Sequence, residues 1–202
     1  MFNRCDSAVR RGIRKAEAAG LQVEFSRGAE AMRDFYALHC TTRQRHGLPP
    51  QPFRFLENIQ QHVLEQDRGF IVTARHGQRP VAAAVFFHFG MQAIYKFGAS
   101  AYSAQNLRPN NLVMWSGLQR CAELGMQSLH LGRTSRGNEG LRRFKLGFGA
   151  QEEQISYAKY DFRKGCFVTD VDRAETWVNN IFRCLPTPFL RLAGRMLYPH
   201  LS

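Results

Sequence analysis

Residues 69–100, GFIVTARHGQRPVAAAVFFHFGMQAIYKFGAS, restrict what this chain can fold into more than any other stretch. Aromatic and β-branched residues dominate it, and His76-Gly77 and Gly90-Met91 interrupt it where tight turns fit. The segment predicts three strands, 70–75, 80–89 and 92–98, joined as an antiparallel meander. Tyr95 and Phe97, with Phe86, Phe87 and Phe89, alternate across the meander and read as core.

Helical periodicity surrounds it. Residues 8–19 (AVRRGIRKAEAA) predict a basic helix stopped by Gly20, 21–25 a strand, and 29–45 a helix with Met32, Phe35, Tyr36 and Leu38 on its apolar face. The break HGLPPQP precedes a further helix over 53–66. Beyond the meander, a helix over 110–124 buries Leu112, Trp115, Leu118 and Ala122 and closes at Gly125. A short strand over 127–131, a helix over 139–146 and a strand over 153–162 follow. The short crossover predicts that the two strands lie close together in one mixed sheet. Helices over 170–183 and 188–197 end the chain. The order implies an α+β fold, a central mixed, mostly antiparallel sheet flanked by helices, with one domain over 1–165 and a helical extension over 166–202.

With 202 residues the chain can bury a substantial core. Its longest apolar runs, such as 81–87, fall far short of the roughly 20 residues of a spanning helix, and the first residues carry no apolar secretory core, so a cytoplasmic location is expected. Five cysteines without a CxxC pair argue against a disulfide framework or a zinc knuckle, and no metal is expected. A net charge of +12 predicts anionic partners, but 23 of the 28 basic residues are Arg, so charge alone does not locate a site.

Position does. Residues 131–150, LGRTSRGNEGLRRFKLGFGA, combine five glycines with four arginines and one lysine. Glycine lets backbone approach a ligand and Arg supplies planar donors, so the run reads as an anion-handling loop and helix, with Arg133, Arg136, Arg142 and Lys145 as candidates. Asn110 and Asn111, beside Arg108, stand where an N-terminal helix end either is simply capped or holds a phosphate or carboxylate. Arg10 and Arg14, with Arg11 and Lys15, form like-charged i,i+4 pairs that call for an anionic partner or acidic neighbours. For a general base the candidates are Glu153 and Tyr157 on the last strand and His130 before the loop.

Four segments carry a family resemblance: RRGIRKAEAAGLQVE (10–24), TTRQRHGLPPQP (41–52), LRPNNLVMWSGLQRCAELG (107–125) and LGRTSRGNEGLRRFKLGFGA. Together they resemble the C-terminal half of FemAB-like proteins, GNAT-fold acyl or aminoacyl transferases of the cell envelope, including those associated with exopolysaccharide and PEP-CTERM sorting systems. The resemblance implies a GNAT fold and N-acyl transfer to an amine of a peptidoglycan, exopolysaccharide or related precursor. It implies acyl-CoA or aminoacyl-tRNA as donor and a possible N-terminal GNAT-like partner domain. It also implies that Lys145, in the string FKLGFG that is similar to the family's FK-x-x-FG motif, lies near the acceptor or the transferring carbonyl, and that Arg45 occupies a family position. The glycine-rich pyrophosphate loop of acetyl-CoA enzymes is not evident before residue 110, which favours an aminoacyl-tRNA donor. Two other readings remain: a non-catalytic anion- or tRNA-binding module, and an inactive truncated paralogue.

Overall fold

The computed structural model describes residues 1–135, 137–168 and 177–198. Helix α1 (Ser7–Ala18) leads into β1 (Gln22–Ser26), and α2 (Ala29–Arg45) and α3 (Phe53–Ile59), the latter prolonged by a π turn over Gln60–Leu64, precede the meander β2 (Gly69–His76), β3 (Arg79–Phe89) and β4 (Gln92–Ser100). Helix α4 (Pro109–Glu123), β5 (Ser128–His130) and α5 (Glu139–Leu146) follow. The five strands form one sheet in the order β1-β2-β3-β4-β5, antiparallel except for the parallel β4–β5 pair. The sheet is mixed and mostly antiparallel, as its sequence implies.

Alternation along β2 and β3 divides the core between the two faces. Phe70, Val72, Ala74, Ala82, Ala84 and Phe86 pack with Val9, Ile13, Leu112 and Met114 of α1 and α4. Ile71, Ala83 and Val85 pack with Met32, Phe35, Leu38 and Cys40 of α2. Strand β3 is therefore covered on both faces, which explains a run, VAAAVFF, with no polar position in it. Small residues set the spacing: a Cβ on Gly117 of α4 would stand 2.2 Å from the Phe86 ring, so only glycine lets the helix lie this close. Across the opposite edge, Arg75 of β2 joins β1 to α2 by donating to Glu24 (2.7 Å) and Asp34 (2.5 Å).

The structure corrects the reading of residues 153–162. They do not join the main sheet; residues 151–158 carry no strand pairing, and β6 (Lys159–Asp161) pairs only with β7 (Cys166–Val168) in a separate two-stranded hairpin. Sequence alternation there is real but meets no core: Ile155, Tyr157, Phe162 and Phe167 are 55 %, 72 %, 89 % and 72 % exposed. Gly165, at φ 64°, turns the chain back, so the expected boundary at 165/166 falls inside this hairpin. Helices α6 (Trp177–Cys184) and α7 (Thr187–Leu197) then return to α2, where Gln44 donates to Leu185 O (2.8 Å) and Leu190 is fully buried. The first part of the expected helix over 170–183 lies outside the described residues. No helix among the described residues is long and apolar enough to cross a membrane.

Candidate active site

Strand β4 creates the site by leaving its neighbour. It pairs with β5 over Gln92–Ile94 alone, then continues for six more residues to Ser100. At the point of divergence the β3–β4 register slips, Val85 opposing Phe97 and Phe86 opposing Tyr95, so Lys96 is an extra, bulged residue. A bulge bends and twists its strand, which here opens a gap on the β5 side. Ala101 N–H donates to Val81 O (2.9 Å), so by the alternation of an antiparallel ladder Gly98 turns its N–H and C=O away from β3, into that gap. Ser100 faces the same way and is held by Thr42, whose Oγ accepts from Ser100 N (3.1 Å) and donates to Ser100 O (3.2 Å).

A cleft of about 200 Å³ fills the gap. Thr42, Arg45 and His46 line it from the end of α2, Asn110, Val113 and Met114 from the start of α4, and Leu141 and Phe144 from α5; Ala83, Ala84, Tyr95, Gly98 and Ala99 form its floor. Its chemistry is concentrated in few groups. The half-buried Tyr95 carries a hydroxyl pushed up to about 12 by desolvation, so it holds its proton. A Cβ on Gly98 would stand 1.8 Å from that hydroxyl, so the bare glycine is what admits the phenol. Desolvation of the His46 ring, then the charges of Arg45, Arg43 and Arg183, lower its pKa from 6.5, which leaves a neutral base at the cleft rim. The Arg45 guanidinium lies over the Tyr102 ring at 5.7 Å.

Of the residues singled out in the sequence, Arg45 and Asn110 reach this cleft, and Asn110 Nδ2 donates to Ser100 Oγ (3.1 Å). Asn111 instead packs on Gly12 of α1. Neither asparagine caps α4; its N-cap is Arg108, at φ 60°, with no side-chain cap. Arg10 donates to Asn3 O (3.3 Å) and Arg14 lies over the Phe2 ring at 5.7 Å, both on α1 outside the cleft. Arg142 pairs with Glu152 (2.7 Å) and Glu139 (3.8 Å), which supplies the acidic neighbours its charge demands. Arg133 lies over the Tyr157 ring at 5.3 Å, His130 Nδ1 accepts from Gly132 N–H (3.0 Å), and Glu153 and Tyr157 are exposed on the segment that left the sheet. Arg136 lies outside the described residues.

Lys145 is 8 % exposed, and its ammonium spends all three N–H bonds on the loop after β5: Gly132 O (2.8 Å), Arg133 O (3.1 Å) and Thr134 Oγ1 (2.8 Å). Burial lowers its pKa. The side chain therefore ties the far wall of the gap to α5. Tyr95, Gly98, Thr42 and His46 were not legible as a site because the bulge at Lys96, a tertiary feature, brings them together. Among the described residues no group of His, Cys, Asp and Glu could hold a metal ion.

The Acetyltransferase (GNAT) domain family matches residues 3–153. Among solved structures, FemX superposes with a TM-score of 0.65 at 16 % identity over 71 % of this chain and 54 % of its own, so this chain spans about half of FemX. An aminoglycoside acetyltransferase from an uncultured soil metagenomic sample, in complex with sisomicin, gives 0.57 at 13 % identity over 70 % of this chain and 96 % of its own. An aminoglycoside N-acetyltransferase in complex with CoA gives 0.53 at 13 % identity over 69 % and 94 %. No curated protein sequence matches. These likenesses are likenesses of fold, and the family match is one of sequence. The chain therefore belongs to the GNAT acetyltransferase domain family.

Proposed function

We propose that this chain is a cytoplasmic N-acyltransferase that moves an acyl or aminoacyl group from an ester or thioester donor to an amine of a cell-envelope precursor. The carrying observation is the opened β4 edge, where Gly98 presents backbone N–H and C=O to a cleft with an alanine floor. An extended donor can pair with that edge as a strand would, and the Gly98 N–H lies in place to polarise the reacting carbonyl. The acceptor nitrogen attacks the carbonyl carbon and forms the C–N bond, His46 takes the amine proton, and the C–O or C–S bond breaks with Tyr95 O–H protonating the leaving group; the proton held by His46 then returns to the Tyr95 oxygen through solvent, which restores both groups. Lys145 acts through the loop it holds rather than on the substrate.

The donor end of α4 favours an aminoacyl-tRNA over acyl-CoA. Pro109 has no N–H, Asn111 N–H turns back to Arg108 O (3.1 Å), and no glycine lies in residues 99–116 that could build a phosphate nest. The FemAB-like resemblance of residues 10–24, 41–52, 107–125 and 131–150 is the ground for a peptidoglycan-type acceptor and a second GNAT-like domain as partner, and the FemX likeness adds the shared fold. Purified protein is assayed with aminoacyl-tRNA and with acyl-CoA against amine-bearing envelope precursors. Transfer that is lost in Gly98→Val bears the reading out, and a folded protein that transfers from neither donor overturns it.

A further inference from the structure

Helix α7 is apolar on two sides. Leu190 and Gly194 face inward, Leu190 fully buried and Gly194 so close to Pro50 that a Cβ would meet its carbonyl oxygen at 2.1 Å. Phe189, Leu192 and Met196, at spacings of three and four, face outward and are 61 %, 54 % and 67 % exposed, and Leu197 and Ile181 of α6 extend the same pattern at 40 % and 48 %. A helix that docks by one face has no need of a second apolar stripe, and large apolar side chains clustered at a surface mark a binding face.

The charge around the stripe identifies what it binds. Residues 177–198 contain Arg183, Arg191 and Arg195 and no acidic residue, in a chain of net charge +12. Arg191 is anchored at the inner edge, its guanidinium over the Tyr36 ring at 5.1 Å and its Nε donating to Cys40 Sγ (3.4 Å). Arginines beside a Phe/Leu/Met stripe are the composition of a helix lying in the plane of an anionic lipid surface. A protein partner would require an acidic group matched in position to the exposed Arg195, whereas an anionic bilayer supplies phosphates at any register.

We propose that α7, with the end of α6, docks this protein on anionic membrane surfaces. The proposal also orients the site, and in that respect it rests on the acyltransferase reading. Gln44 bonds to Leu185 O, and Gly47 packs against the Asn179 backbone, so the docking helices straddle the end of α2 that delivers Arg45 and His46 to the cleft. Docking by the outward stripe thereby fixes, relative to the membrane surface, the orientation of α2, which packs on the inward side of α7, and of the cleft rim it carries.

Co-sedimentation with vesicles of phosphatidylcholine, with and without phosphatidylglycerol, tests it. The 202-residue chain should partition onto the anionic vesicles, weaken with added salt, and lose affinity about fivefold for Arg195→Gln. The triple change Phe189→Ser, Leu192→Ser and Met196→Ser should reduce affinity about a hundredfold or more while the thermal midpoint holds, since these side chains are exposed. Equal partitioning of the wild type and the triple variant, or none on either vesicle, overturns the proposal. So does a lipid-independent dimer that the triple variant dissolves, which would assign the stripe to a second copy. Transfer to a water-soluble amine, measured on the same variant, should be unchanged, so membrane docking and acyl transfer can fail separately.

Discussion

Replacement of Lys145 by methionine separates two roles that this residue could play. Methionine keeps the buried stem and removes the ammonium, so the three hydrogen bonds to Gly132 O, Arg133 O and Thr134 Oγ1 are lost together. A hydrogen bond from a charged donor contributes about 1.5–3 kcal/mol, but two offsets apply. Gly132 and Thr134 are only half-buried and regain water, and the burial that lowers the Lys145 pKa is itself a cost removed with the charge. The net loss expected is about 2 kcal/mol, which for a chain of this size lowers Tm by about 4–8 °C. Urea unfolding gives the first number. Amide exchange at residues 132–134 should accelerate, because the clamp on the loop is gone, and transfer should weaken chiefly through KM as the cleft wall loosens. Unchanged stability and unchanged loop protection, with kcat reduced to background, would refute the reasoning and make the ammonium a chemical participant.

Three further outcomes follow from the same geometry. Gly98→Ala must push the Tyr95 phenol from a position 1.8 Å from the new Cβ, so it should cost about 1–3 kcal/mol of stability and at least tenfold in transfer, read by unfolding and by kcat/KM. His46→Gln should remove the acidic limb of the pH–rate profile, which in the wild type has an apparent pKa below 6.5 because the neutral ring is required, and should reduce kcat about a hundredfold. His39, buried and bonded to Gln51 (2.6 Å), titrates at about 4 in the folded chain against 6.5 unfolded. Its unfolded form thus gains a proton first on acidification: the His39 contribution is complete above 6.5, falls between 6.5 and about 4 by about 3 kcal/mol, and changes no further below, so His39→Leu should flatten the slope of pH-dependent unfolding by that amount and leave the part due to His46.

Local signals sufficed wherever an element carries its own boundary chemistry. Helix 139–146 is legible to the residue because Asn138 caps it, its Oδ1 accepting from Leu141 N–H (3.0 Å), and because Leu141, Phe144 and Phe148 repeat on one side. The meander is legible because Gly77 and Gly90 take positive φ at the two turns, an arrangement few other residues accept. The last strand was misread for the opposite reason. Period-two alternation over 153–162 reports a preference for extended backbone and says nothing about which strand, if any, is available to pair with it. The site was the least legible part. Tyr95 alternates as a core aromatic should, and nothing local to it reveals that Lys96 bulges, that β5 departs at the same level, or that α2 ends opposite with His46. Lys145 stands out in the sequence, but that it spends its charge on backbone oxygens depends on where the loop after β5 runs.

The brevity of the β4–β5 ladder has an energetic consequence. Strands β3 and β4 are joined through eight residue pairs, whereas β5 holds the sheet through three, in parallel and at an edge. Separation of β5 is therefore among the least costly local unfolding steps open to this sheet, and the Lys145 clamp makes strand, loop and α5 leave as one unit. Amide exchange along β5 should therefore outpace exchange along β3, and the core contacts such an opening gives up are those of Leu129, Leu131 and Phe144.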